Sequence, residues 1–200
     1  MEIHLTEETL EYCKKLATER NNIKEANNVT NHKIDKAQSD WEMHYLGLRG
    51  EAVIATICGQ PLDDRILLKG DGGVLDFTTP NGHTVQCKAR KDFKNRDDIY
   101  LFFNHLSLKS QDSSGRGGYC TCHNKWVRNA EIFQADYAYL VVSDEHDEAL
   151  MTVLGSIKKS KFLKEHIVKN FNYGPRYAVS HKVLTPVPQD FEQRLLSYKT

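Results

Sequence analysis

Four residues have types and spacing suited to catalysis: Glu51, Asp76, Gln86 and Lys88. Asp76 stands between Leu75 and Phe77 in an apolar run. A carboxylate in such a place is costly unless it is paired or binds a metal. Ten residues on, Gln86 and Lys88 alternate with Val85 and Cys87. In a strand that alternation puts the amide and the ammonium on one face and the apolar residues on the other. Glu51 is flanked by Gly50 and Ala52, neighbours small enough to let another element or a ligand approach. Phosphodiester hydrolysis needs a hard cation held by oxygens, to polarise the phosphoryl group and acidify the attacking water, and gains from a cationic side chain that orients that water. Asp76 would be the anionic ligand, with the Gln86 amide oxygen and the Cys87 backbone carbonyl beside it. Lys88 would position or help deprotonate water. Glu51 would complete the metal shell or hold the Lys88 ammonium. Mg²⁺ keeps several waters and tolerates so few protein ligands, with Mn²⁺ as the alternative ion.

Each residue also has an ordinary explanation. Glu51 can be a first-turn glutamate favoured by a helix dipole, and Lys88 an exposed strand lysine. Asp71, before Gly72 and Gly73, can cap a turn and is accessory to Asp76. The basic run Arg90, Lys91, Lys94 and Arg96 is either a solvated loop or a rim that contacts phosphates. Lys109 and Arg116 lie in a stretch rich in Ser and Gly, read either as a mobile loop whose cations reach a nucleic-acid backbone on closing or as a disordered insertion.

The elements that must position these groups follow from periodicity and turn chemistry. Residues 71–90 read as a hairpin, with Pro80-Asn81-Gly82 at the turn. Residues 5–28 read as a helix with Thr6 as N-cap and Glu7 and Glu8 in the first turn; Thr9 in place of Glu or Gln denies it a capping box. Trp41–Cys58 reads as a buried helix with Glu51 in its early part. Ile99–Phe103 is expected to be a central strand pairing with the Gln86–Lys88 strand. Trp126–Phe133 reads as a short helix, Asp136–Val142 as a buried strand, and Leu150–Gly155 as its hairpin partner. Ile157–Phe171 has a helical pattern, Arg176–Val179 is expected to be a last edge strand, and Phe191–Leu196 a terminal helix. The order implies an α/β domain with a central mixed β-sheet flanked by helices. Residues 1–40 would form an N-terminal helical segment and 41–200 a nuclease domain, the two making one compact unit.

Gly50-Glu51 in a helix, Asp71-Gly72-Gly73-Val74-Leu75-Asp76 and Val85-Gln86-Cys87-Lys88 together resemble the PD-(D/E)XK nuclease superfamily. The Gln-x-Lys form is similar to Mrr-like restriction endonucleases and some phage-encoded relatives. The resemblance covers roughly residues 41–103. It implies a restriction-endonuclease-like core and metal-dependent cleavage of DNA. On it Asp76 takes the metal-binding aspartate, Gln86 the (D/E) position, Lys88 the catalytic lysine and Glu51 the helix glutamate. Gln86 replaces an acid, which removes one negative charge from the metal site.

Composition sets outer bounds. The chain has 200 residues, with 27 Lys and Arg against 27 Asp and Glu, so attraction to nucleic acid requires a local basic face. A 40% apolar fraction allows a packed core, and a mean hydropathy of -0.58 implies extensive polar surface. Five irregularly spaced cysteines argue against a disulfide framework and for a reducing, cytoplasmic setting. Cys120-Thr121-Cys122-His123 lacks the second ligand pair that a structural zinc site needs. His105 and His123 flank the glycine-rich stretch, and only their residue type commends them for catalysis. No apolar run has transmembrane length. The expected activity is a Mg²⁺-dependent endonuclease acting on DNA, possible as a homodimer. The competing readings are a non-cleaving nucleic-acid- or partner-binding domain on the same fold, and a nuclease of RNA or branched DNA.

Overall fold

The strand carrying Gln86 and Lys88 lies within a five-stranded mixed sheet. The computed structural model describes residues 1–27, 38–62, 76–79, 81–91, 99–102, 117–120, 125–128, 135–171 and 174–187. The sheet contains β1 (Glu2–His4), β2 (Phe77–Thr78), β3 (Thr84–Lys91), β7 (Tyr137–Ser143) and β8 (Leu150–Lys158), in the order β1-β8-β7-β3-β2. β3 and β7 run parallel, with Gln86 opposite Ala138 and Lys88 opposite Leu140. The other pairs are antiparallel. A second sheet has the order β4-β10-β9, from β4 (Tyr100–Phe102), β9 (Ile167–Phe171) and β10 (Gly174–Ser180). β5 (Gly117–Cys120) and β6 (Lys125–Arg128) form a separate antiparallel pair.

Two helices cover one face of the first sheet. α1 (Glu7–Ala26) starts at Thr6, whose hydroxyl accepts from the Thr9 amide, and carries Glu7 and Glu8 in its first turn. α2 (Asp40–Cys58) starts at Ser39 with a full capping box: the Ser39 hydroxyl accepts from the Glu42 amide, and the Glu42 carboxylate accepts from the Ser39 amide. It ends on Gly59, whose φ of 62° provides the left-handed cap. Leu10, Cys13, Leu16 and Ala17 of α1 pack in one core with Leu48, Val53, Ile54 and Ile57 of α2 and Val85, Cys87, Val141, Met151 and Val153 of the sheet. The opposite face packs a second core, in which Ala138, Leu140, Val142 and Ile157 meet Ile99, Leu101, Tyr177 and Val179 of the second sheet and Phe162 of α3 (Lys159–Glu165).

The hairpin, α1, α2, the 137–143 strand and its 150–158 partner stand as expected; residues 71–75 and 191–196 lie outside the described residues. Several expectations are overturned. Residues 100–102 pair with β10, and the neighbour of Gln86–Lys88 is β7. β7 is apolar on both faces, the mark of a central parallel strand. Ile157 continues the period-two burial of Met151 and Val153, so it ends a strand and does not begin a helix. The helix that follows covers only 159–165, and 167–171 is a strand. Residues 174–180 are the middle strand of their sheet, not an edge. Residues 125–128 are a strand paired with 117–120. Glu51 is the twelfth residue of the 19-residue α2, too far along for the dipole at its start to explain it.

The contact that sets α2 on the sheet is at Gly50. A Cβ there would stand 2.7 Å from Ala89 Cβ and 3.2 Å from Cys87 Sγ. Overpacking of this kind costs about 1–3 kcal/mol, against a gain of roughly 1 kcal/mol from replacing a helical glycine by alanine. Gly50→Ala is therefore expected to lower the urea midpoint. Adding Ala89→Gly should restore part of that loss, and simple additivity of the two changes would show that the contact is not what matters.

Candidate active site

Alternation along β3 decides which groups share a face. Val85 and Cys87 are buried in the core under α2. Gln86, Lys88 and Arg90 lie on the other face, where Gln86 is only 5% exposed and Lys88 and Arg90 are half-buried. Asp76 precedes β2 and is anchored to β3 twice: its amide donates to the Val85 carbonyl at 3.0 Å, and its Oδ2 accepts from the Cys87 amide. In an extended strand the amide and carbonyl of one residue leave by the same edge. The Cys87 carbonyl is therefore directed to the edge that holds the Asp76 carboxylate. The turn that brings Asp76 there closes through Thr79, which accepts from the Gly82 amide at 2.8 Å, with Gly82 at a φ of 80°.

A second carboxylate fixes the start of the strand. Asp136 Oδ2 accepts from the Thr84 amide at 2.9 Å and from the Thr84 hydroxyl at 2.8 Å, while its own amide donates to the Thr84 carbonyl at 3.0 Å. Two hydrogen bonds to the charged form hold the Asp136 carboxyl below its ordinary range. This clamp registers β3 against β7 immediately before Gln86 and Lys88.

Glu51 comes from the other side of the sheet, because α2 rests on the Cys87 and Ala89 side chains. The small neighbour Gly50 does admit a close approach, and what approaches is β3. Glu51 Oε2 lies 3.6 Å from Arg20 Nη1 of α1, with both side chains less than one-fifth exposed. Arg20 was not among the residues singled out from the sequence. It follows Cys13 by seven positions and Leu16 by four, so a charge occupies the apolar stripe of α1 and requires a buried partner.

Cys87 records how near these charges stand. Burial pushes its thiol well above the usual range, the carboxylates of Asp76 and then Glu51 push further, and Lys88 pulls the other way. Glu51 likewise helps raise Cys13 to about 11, after burial, against Arg49 and Arg20. Asp76, Glu51 and Lys88 thus lie within electrostatic reach of one buried sulfur. They do not share a face; the β3 edge at Asp76 is where the two faces meet.

No group of three His, Cys, Asp or Glu side chains among the described residues is placed to hold a metal. The oxygen donors directed to the β3 edge are the Asp76 carboxylate and the Cys87 carbonyl, with Gln86 buried on the adjoining face and Glu51 engaged by Arg20. That is an all-oxygen set with one carboxylate beside the strand, which fits a hydrated Mg²⁺ and suits softer metals poorly. Of the expected basic rim, Arg90 lies with its guanidinium 3.9 Å from the Phe102 ring centre, and Lys91 is exposed at the end of β3. Asp71, Lys94, Arg96, Lys109, Arg116, His105, Cys122 and His123 lie outside the described residues. No helix among the described residues is long and apolar enough to cross a membrane. No protein-family model matches the chain, and no curated protein matches it.

The Asp136 clamp has a definite pH signature. Because its folded pKa is depressed, its contribution is present above the unfolded value and is lost as pH falls through the folded one. Asp136→Asn is expected to lower the urea midpoint at neutral pH, with the gap to wild type narrowing as pH falls below the ordinary carboxylate range. A gap unchanged in acid would refute the charged clamp.

Proposed function

We propose that this protein is a Mg²⁺-dependent endonuclease that hydrolyses phosphodiester bonds in DNA, built on a restriction-endonuclease-like PD-(D/E)XK core and acting in the cytoplasm. The observation that carries this reading is the edge of β3, to which the Asp76 carboxylate and the Cys87 carbonyl are both directed, with Lys88 next along the strand. Asp76, the Cys87 carbonyl and the Gln86 amide oxygen would hold the ion. When bound, magnesium supplies a Lewis acid for the phosphoryl oxygen and an acidified water. Lys88 orients the water and offsets charge developing on the phosphate. Glu51, fixed by Arg20, sets the negative field beneath the strand and restrains Lys88 through that field. Lys91, exposed at the end of β3, adds a cation on the α2 side of the strand that a neighbouring phosphate could meet. A homodimer would let two such sites cut both strands.

A second reading is a non-cleaving nucleic-acid- or partner-binding domain. It is favoured by Gln86 in place of an acid and by the lack, among the described residues, of three acidic or imidazole ligands in one group. RNA or branched DNA as substrate is compatible with the same site.

Asp76→Asn keeps an acceptor for the Cys87 amide, and Lys88→Gln keeps a polar side chain while removing the charge. Both are expected to reduce Mg²⁺- or Mn²⁺-dependent cleavage by about 100-fold or more, with far-UV circular dichroism and melting temperature close to wild type. The substrates are linear, nicked, branched and single-stranded DNA, and RNA. Wild-type cleavage rates in Asp76→Asn would sink the metal site. Tight DNA binding by wild type with no cleavage under either ion would establish the second reading.

A further inference from the structure

The β7–β8 hairpin is polarised in charge. Its turn carries Asp144, Glu145, Asp147 and Glu148, while Lys158, at the far end of the nine-residue β8, opens a run that continues with Lys159, Lys161 and Lys164. That length of strand holds the two ends roughly 30 Å apart. From 158 to 184 the chain has seven Lys and Arg against one acid, Glu165, although its total charges balance at 27 and 27. Lys158, Lys161 and Lys164 are exposed. Lys161 and Lys164 stand three apart on α3, as neighbours on the side of the helix turned away from the buried Phe162. The platform beneath them is fixed. Phe162 sits in the second core, and the His166 ring stacks on it and meets Tyr177 edge-on. The His166 amide ends α3 by donating to the Phe162 carbonyl at 2.9 Å. The Lys161 ammonium donates to the Val183 carbonyl at 2.7 Å, which ties α3 to the 181–183 turn. An ammonium has three donors, so this bond uses one of them.

We propose that the exposed lysine surface formed by Lys158, Lys161 and Lys164 docks the sugar-phosphate backbone of nucleic acid. The proposal rests on the nucleic-acid reading above, but not on cleavage. A chain without net charge binds a polyanion only where positive groups are concentrated, and this end of the molecule concentrates them with a single acid among them. Arg90 does not supply that concentration, because its guanidinium lies against the Phe102 ring with Nε and Nη2 buried. Lysine ammoniums are hydrated point charges on flexible stems, which meet phosphate oxygens without fixing the geometry of a base. Such a surface binds without reading sequence and weakens steeply with salt. The acidic turn at the other end of the hairpin repels the same polyanion, so encounter is oriented lysine end first. Across residues 158–165 no large apolar side chain is exposed. An anionic lipid surface would find charge there but no apolar group to insert, which favours nucleic acid as the partner.

The test measures binding of a labelled oligonucleotide, single-stranded and as a duplex, by the full chain in EDTA over a salt series. The double variant Lys161→Gln, Lys164→Gln is expected to weaken binding equally for unrelated sequences and to reduce the slope of log affinity against log salt by about 2. Lys158→Gln, which leaves the Val183 bond intact, should reduce the slope by about 1. Replacing Lys161 and Lys164 by arginine should keep the wild-type slope. Lys15→Gln, on the exposed side of α1, should match wild type. If the glutamine variants keep the wild-type affinity and slope, the docking surface is wrong even where wild type cleaves DNA. Binding of wild type to phosphatidylserine vesicles and to no oligonucleotide would overturn the surface and the nuclease reading together, in favour of a membrane. Reduced slopes in the glutamine variants with no cleavage by wild type uphold the surface and remove only the cleavage.

Discussion

The seating of α2 on β3 at Gly50 is the constraint on which the rest of the candidate site depends. With no side chain at that position, the helix approaches until Ala89 and Cys87 nearly touch its backbone. That approach buries Cys87, brings Glu51 within reach of its sulfur, and leaves Glu51 facing Arg20 across the α1–α2 contact. Because Cys87 is turned toward the helix, Gln86 and Lys88 must turn away from it. One close contact thus assigns the two faces of the strand and separates Glu51 from the Gln-x-Lys pair.

The strand itself is held from three directions. β7 supplies a parallel partner along its length, Asp136 clamps its first residue, and Asp76 occupies the edge opposite β7 through the amides and carbonyls of residues 76, 85 and 87. β2 is only two residues long. Beyond Val85, the Asp76 side chain takes the role that a further strand residue would otherwise fill by accepting from the Cys87 amide. A carboxylate that satisfies a backbone donor with one oxygen is fixed in orientation, which favours ion binding at low entropic cost and also explains its place in an apolar run without any ion. The chemistry and the structural role are compatible.

Much of this arrangement was legible from residue types. The hairpin, the two N-terminal helices and the 137–158 strand pair follow from turn residues, caps and alternation, all of which act within a few residues of chain. The expectations that failed involve partners distant in sequence. An apolar pentapeptide at 99–103 is a strand by any local measure, yet which sheet it joins depends on which faces remain uncovered once β7 has taken the place beside β3. The 157–171 segment has apolar residues at both strand and helix spacings. Its division into strand end, short helix and new strand follows from Ile157 entering the second core and from β10 offering an edge to 167–171.

By itself the sequence determined the composition of the candidate site: Asp76 before a turn, Gln86 and Lys88 on one face of a strand, and a glutamate on a small-residue helix. Alternation and turn stereochemistry are local rules, and they suffice for that. Only the tertiary structure decided that Glu51 belongs to the opposite side of the sheet, paired with Arg20, and that Arg90 of β3 is stacked on Phe102 of a second sheet. Those relations depend on how closely two backbones can approach and on which strands compete for the same edge, and no spacing along the chain encodes either.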